Sequence, residues 1–399
     1  MPTFVQSLTA SVAARRAAVV PSASARPRLP LLDAVKGLAC MLIVWHHLAF
    51  YGPMSDVAQP LAPGLIAWLY DYGRFAVQVF LAIGGFLAAA ALAPRGLAAF
   101  QQPGSLIARR YERLARPYLA ALTFTLIVSA AVRPWLSDAS VPGAPSLWQV
   151  LVHAFLLQDL LGQAALSAGV WYVAIDFQLF ALAVGLFHLA QRLEPHWPAR
   201  WVAPGVVLVA SVAFGSLVYF NRCAGLDATA LYFAGSYGLG MLAYWTSRAK
   251  RPLLWGALLF SLGAVALLVD FRGRILTSWS TALVLAWAPR QAWSARWPSW
   301  GWLQRVGRMS YSVFVIHFPV CLLVNAVFGH LWPTLPWMNA FGMLLAFALS
   351  LAAGRLLHDH VEAARATHSR LLALLRRAWS AAVAAEPRPA ARAVRSKSS

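Results

Sequence analysis

The sequence predicts an all-α, polytopic integral membrane bundle of about ten transmembrane helices, with both termini cytoplasmic. Three observations carry this. The 399 residues are 60% hydrophobic and only 12% charged, whereas soluble domains carry about 25% charged residues. The mean hydropathy is +0.63, more apolar surface than a water-soluble core hides. Finally, Lys and Arg fall between the apolar runs, on alternate sides of the chain they imply.

A span needs roughly 20 mainly apolar residues. The runs that meet this lie at about 32–52, 75–93, 117–133, 170–190, 202–220, 229–247, 253–270, 275–290, 309–329 and 338–358. A shorter apolar piece at about 147–162 contains His153, Gln158 and Asp159. It reads as an interfacial or re-entrant helix. If it crossed, the orientation of everything after it would invert. Residues 1–30 are basic and rich in Ala, Ser and Pro, a cytoplasmic tail rather than a cleaved leader. The membrane part is expected over 31–358. Residues 359–399 form a second basic tail, in which LLALLRRAW (371–379) suits a helix lying on the inner leaflet and the last residues read as disordered.

The formal net charge is +20, from 33 Lys+Arg against 13 Asp+Glu. On a soluble protein that would suggest nucleic acid. Here the bases sort by side. With the N-terminus inside, the inner loops collect Arg95, Arg109, Arg110, Arg113, Arg116, Arg192, Arg200, Arg248, Lys250, Arg251, Arg290, Arg296, Arg305 and Arg308. The outer side keeps Arg74, Arg133, Arg222, Arg272 and Arg274. That is the positive-inside pattern, with anionic lipid headgroups as the partner and no nucleic acid. Cys40, Cys223 and Cys321 are scattered and give no disulfide framework.

The first span, LLDAVKGLACMLIVWHH (31–47), carries ionisable groups at both ends. Lys36 and His47 are eleven residues apart, which at 100° per residue leaves them about 20° apart on one helix face and roughly 16 Å apart along the axis. They are too far apart for a direct dyad but well placed for the two ends of one elongated ligand. Asp33 precedes Lys36 at i,i+3 and can pair with it. His46 points about 100° away from the Lys36 face, so His47 is the stronger candidate. Against this stands a plain reading in which Lys36 snorkels and His47 rests among headgroups.

These residues, with four later blocks, resemble acyltransferase family 3, a family of integral membrane O-acyltransferases. LDAVKGLACMLIVWHH supplies the family's basic residue, ten intervening residues and histidine as Lys36 and His47. GRFAVQVFLAIGGFL (73–87) resembles the second-span block, with Gly84 where a serine is usual. RRYERLARPYLAAL (109–122) resembles the basic block entering span three, keeping Arg110 and Arg113. WYVAIDFQLF (171–180) resembles a W-Y-x-S-x-E-x-Q block, with Ala174 for Ser, Asp176 for Glu, and Gln178 retained. GRMSYSVFVIHFPV (307–320) supplies His317 and Pro319 of the last block. Glu362 is a weaker match beyond the final span.

The resemblance implies transfer of an acyl group, usually acetyl, from cytoplasmic acyl-CoA to a hydroxyl on an extracytoplasmic saccharide. His47 is then the expected general base, since a neutral imidazole suits proton abstraction near pH 7. Lys36 and Asp33 would orient the donor or stabilise charge. Arg110 and Arg113 would fork around the CoA phosphates. Arg74 would meet acceptor or carbonyl at the outer mouth. Asp176 would orient a histidine. Trp171, Gln178 and His317 are expected as substrate contacts or support. Gly84-Gly85 either packs helices closely or leaves room for the thioester, packing being favoured. The remaining histidines show no compact ligand spacing, so no metal is implied. No nucleophile elbow or phosphate loop is present, which favours direct transfer over a covalent acyl-enzyme. The rival reading is a transporter of lipid-linked or free glycan, against which the halves show no repeat. A non-catalytic scaffold is the third.

Overall fold

The computed structural model describes residues 30–198, 201–291, 294, 297 and 300–364. Residues 1–29 and 365–399 of the basic tails, including the helix expected at 371–379, lie outside the described residues. Among the described residues the secondary structure is helical, with no strand. In chain order the helices are α1 (Pro30–Phe50), α2 (Met54–Ala58), α3 (Pro63–Tyr72), α4 (Ala76–Leu92), α5 (Pro103–Val132), α6 (Leu147–Ala154), α7 (Val170–Leu193), α8 (Pro204–Val218), α9 (Ala230–Arg248), α10 (Pro252–Val269), α11 (Gly273–Trp287), α12 (Gly301–Arg308), α13 (Ser310–Leu331) and α14 (Pro336–Leu357). Proline opens α3, α5, α8, α10 and α14. There its fixed φ suits the first turn and its missing N–H has no partner to lose.

A helix stands at each of the ten expected spans. Eight helical stretches among the described residues are long and apolar enough to cross a membrane. The two that fall short do so for different reasons. α11 has only 15 residues. α9 is diluted by Gly, Ser and Tyr because it faces protein rather than lipid. Every residue from Tyr232 to Ser247 is buried, wrapped by α4, α7, α8, α10 and α11. Its contact with α4 is backbone on backbone: a Cβ at Gly85 would run into the Tyr237 carbonyl, and one at Gly240 into that of Ala82. A Cβ at Gly84 would lie 3.1 Å from the Tyr237 ring. Gly84-Gly85 is therefore a packing seam, not room for a thioester.

Three segments depart from expectation. The second span is helical from Pro63, joined to α4 by the tight turn Gly73–Phe75. The charged run 109–116 belongs to α5 itself rather than to a loop before it. The piece at 147–162 is helical only over α6, whose 8 residues are too short to cross. It is pinned from within: His153 Nδ1–H donates to the Gln149 carbonyl (2.7 Å) and Nε2 accepts from the Leu166 N–H (3.1 Å). Burial holds this imidazole below its ordinary range, so it is a neutral clasp.

Three of the five bases expected on the outer side are tied to nearby carbonyls. Arg133 donates to Pro142 and Gly143 at 3.0 and 3.1 Å. Arg272 donates to Leu217 at 2.7 Å and Arg274 to Asn221 at 2.9 Å, which staples the start of α11 to the end of α8. These three arginines thus have structural work in the fold.

Candidate active site

α1 and α13 run parallel, as two contacts with the same sequence offset show. Cys40 Sγ meets the Ser310 carbonyl at 3.5 Å, and seven residues further along both helices His47 Nδ1 meets His317 Nε2 at 2.6 Å. A seven-residue repeat of contacts is what a shallow helix crossing produces. The two imidazoles are coplanar, with an interplanar angle of 1° and ring centroids 4.9 Å apart. Both are buried, His317 completely.

Hydrogen-bond bookkeeping fixes the protons of this pair. His317 Nδ1 lies 2.7 Å from the Phe314 carbonyl and 3.3 Å from that of Val313. Carbonyls only accept, so Nδ1 carries the proton. In a neutral His317, Nε2 is then an acceptor. His47 must donate to it from Nδ1, which leaves His47 Nε2 with an open lone pair. The chain Phe314 carbonyl, His317, His47 therefore presents one unprotonated nitrogen from a buried site. His317→Ala is expected to lower kcat at least about tenfold with the acyl-donor KM little changed, because the tautomer is no longer held. His317→Gln should recover part of the loss, since its side-chain oxygen can accept from His47 Nδ1–H. Steady-state kinetics on both variants check this.

His46 has a different job. Its Nδ1–H donates to the Leu69 carbonyl at 2.9 Å, and Gly73 packs against its Cβ. It anchors α3 beside α1. The Tyr51 ring lies tilted against the His47 ring, with centroids 5.4 Å apart. The turn below it is held by Asn325, which donates to the Tyr51 carbonyl and accepts from Met54 N–H, both at 3.1 Å. At the other end of α1, Lys36 Nζ lies 2.9 Å from Asp33 Oδ1, the pairing that i,i+3 spacing predicts. α12 crosses α1 there, close enough that a Cβ at Gly307 would strike the Asp33 carbonyl.

The structure revises the roles expected of the arginines and of Asp176. Arg110 and Arg113 do not fork together. Arg113 is exposed, with Arg109 and Arg116, while Arg110 turns inward to an ion pair with Asp176. Its guanidinium also lies over the Phe180 ring, 5.2 Å from the centroid. Arg109, Arg113 and Arg116 fall at i, i+4 and i+7 on one exposed face, while Arg110, about 100° around the helix from Arg109, is the one that faces the carboxylate. Asp176 accordingly orients an arginine, not a histidine. Tyr172, Tyr237 and Tyr311 are within its electrostatic reach.

Gln178 is structural: it donates to the Ala228 carbonyl (3.3 Å) and accepts from Ala230 N–H (3.0 Å), capping the start of α9. Trp171 packs on Phe233 with centroids 5.6 Å apart. Arg74 is exposed near His46. Glu362 accepts from Ser312 Oγ at 2.7 Å and pairs with His358 at 3.0 Å, closing the end of α14 onto α13.

One face of α13 thus lines a column. Tyr311 sits near Arg110–Asp176, Phe314 meets Tyr172 at 5.2 Å between ring centroids, and His317 meets His47. Sequence reasoning missed Tyr311 and Phe314 as site residues. Their i,i+3,i+6 spacing to His317 was the available signal.

A buried histidine pair and a part-buried ion pair thus lie at different levels of a bundle of long apolar helices. A family model described as an acyltransferase domain matches residues 29–355, and the chain belongs to acyltransferase family 3. No curated protein and no solved structure matches it.

Proposed function

We propose that this membrane acyltransferase moves an acyl group, acetyl, from cytoplasmic acyl-CoA to a hydroxyl of a cell-surface or exported saccharide. The observation that carries the reading is the His47–His317 pair, which leaves His47 Nε2 as a lone-pair acceptor. The acceptor O–H gives its proton to His47 Nε2 as its oxygen attacks the thioester carbonyl carbon. An oxyanion forms and then collapses, the C–S bond breaks, and the departing CoA thiolate takes the proton back from the imidazolium. The ester and free CoA thiol are the products, and His47 is regenerated.

The donor side is the end of α1 that carries Lys36–Asp33 and the end of α5 that carries Arg109, Arg113 and Arg116. Their exposed guanidinium groups suit the phosphates of CoA. The Arg110–Asp176 pair is a positioning element that holds α5 against α7. In this reading the chain crosses a bacterial inner membrane ten times with both termini and these arginines on the cytoplasmic side, where bases favour anionic lipid. The membrane unit runs from 31 to 358.

Sealed vesicles of defined orientation test the sidedness. Labelled acetyl-CoA supplied to the face that bears Arg109, Arg113 and Arg116 should yield labelled saccharide on the opposite side. Label appearing only when donor and acceptor share one side would overturn the transmembrane arrangement.

A further inference from the structure

A small cavity lies between α5, the chain leading into α7, and α13. Tyr118, Leu122, Ser167, Gly169, Val173 and Phe314 are among the residues that line it. It adjoins the histidine pair. Phe314 supplies both its wall and the carbonyl that fixes His317, and the two rings are 6.1 Å apart. Phe314 precedes His317 by three residues, so the cavity lies about one helical turn from the pair, on the Tyr311 and Arg110–Asp176 side. That is the side from which a donor thioester would arrive.

Two features point to a ligand. The Tyr118 Oη and Ser167 Oγ atoms are buried and have no hydrogen-bond partner, although both residues are more than nine-tenths buried, at 2% and 6% exposure. Buried hydroxyls are nearly always paired, so two orphans lining one cavity need an acceptor. The remaining walls are apolar, and the free space is that of about one water-sized group. A methyl group is that size. A propyl chain is not.

We propose that this cavity holds the methyl of the donor's acetyl group, with the thioester carbonyl oxygen at its mouth, facing the hydroxyls of Tyr118 and Ser167. The inference rests on the acyl-transfer reading above and adds the acyl-chain selectivity of the same site. As the acceptor oxygen adds to the carbonyl carbon, the carbonyl oxygen gains an electron pair and takes stronger hydrogen bonds from the two O–H groups. As the C–S bond breaks, the pair returns to the carbonyl. Neither hydroxyl loses its proton.

The test is a donor series with the full-length protein in vesicles, using acetyl-, propionyl- and butyryl-CoA and a saccharide acceptor. The wild type should favour acetyl over butyryl at least about tenfold in kcat/KM, since one methylene in an apolar pocket is worth roughly 10–200-fold. Val173→Ala should raise the butyryl-to-acetyl ratio of kcat/KM by about tenfold. Tyr118→Phe and Ser167→Ala should each lower kcat for acetyl by about a hundredfold, as loss of an oxyanion donor does, with KM nearly constant. An unchanged chain-length ratio in Val173→Ala would mean that the cavity houses a structural water, and would overturn the pocket alone. Absence of transfer from every donor by the wild type would overturn the parent reading and the pocket with it.

Discussion

His47→Ala protein is expected to bind acyl-CoA as the wild type does and to lose acyl transfer by at least about a hundredfold, the usual range for removing a general base. The reasoning is geometric. His47 Nε2 is the unpaired end of a hydrogen-bonded chain whose other end is the Phe314 carbonyl. Lys36 is engaged with Asp33, and His317 presents its only lone pair to His47. His46 also keeps an Nε2 lone pair, but its Nδ1–H is held by the Leu69 carbonyl and its ring leaves α1 about 100° around from His47, outside the column. The loss should fall on kcat, with the donor KM held, because the base acts on the acceptor proton in the transition state. Single-turnover transfer from labelled acetyl-CoA reads the effect. A donor KM that rises in step with a preserved kcat would assign His47 to binding instead.

The second large effect is on folding. Arg110 and Asp176 are 66 residues apart in sequence and form an ion pair within the bundle. Asp176→Ala leaves the guanidinium without its counter-charge, and breaking a buried pair by removing one partner costs about 3–5 kcal/mol. Here the arginine side chain keeps 25% exposure, so the lower end of that range is expected. The yield of monodisperse protein in detergent should fall sharply, and its apparent melting temperature with it. Replacing both partners by apolar residues of similar size, Arg110→Met with Asp176→Leu, should restore much of the stability, since no unpaired charge is left. If Asp176→Ala melts with the wild type, the pair is not what holds α5 to α7.

Local spacing made part of this site readable in the sequence. Asp33 and Lys36 are one turn apart, so their pairing needs only a helix. Lys36 and His47 share a face by arithmetic. The histidine's partner was not readable as a partner, because 270 residues separate His47 from His317, and only the parallel register of α1 and α13 brings them together. The same limit applies to Asp176, whose acid character was visible but whose partner depended on which of four nearby arginines turns inward.

The fold divides similarly. Apolar runs located a helix at each expected span, since length and hydropathy suffice for that. α9 shows where they stop sufficing. Its glycines, serines and tyrosines weaken the span signal because five neighbouring helices, rather than lipid, cover it. The charged first turns of α5 failed as a boundary for a related reason: helical geometry continues through a polar segment that solvent covers.

The central claim is that acyl transfer takes place inside this bundle, with His47 Nε2 as base. The most direct measurement uses purified full-length protein in vesicles with labelled acetyl-CoA and cell-envelope saccharide, following ester-linked label and released CoA thiol together. Equal amounts of both are expected from the wild type, and less than about a hundredth of that rate from His47→Ala. Saccharide that crosses the vesicle membrane unmodified, with no thiol released from acetyl-, succinyl- or longer acyl-CoA, would contradict it and identify a transporter.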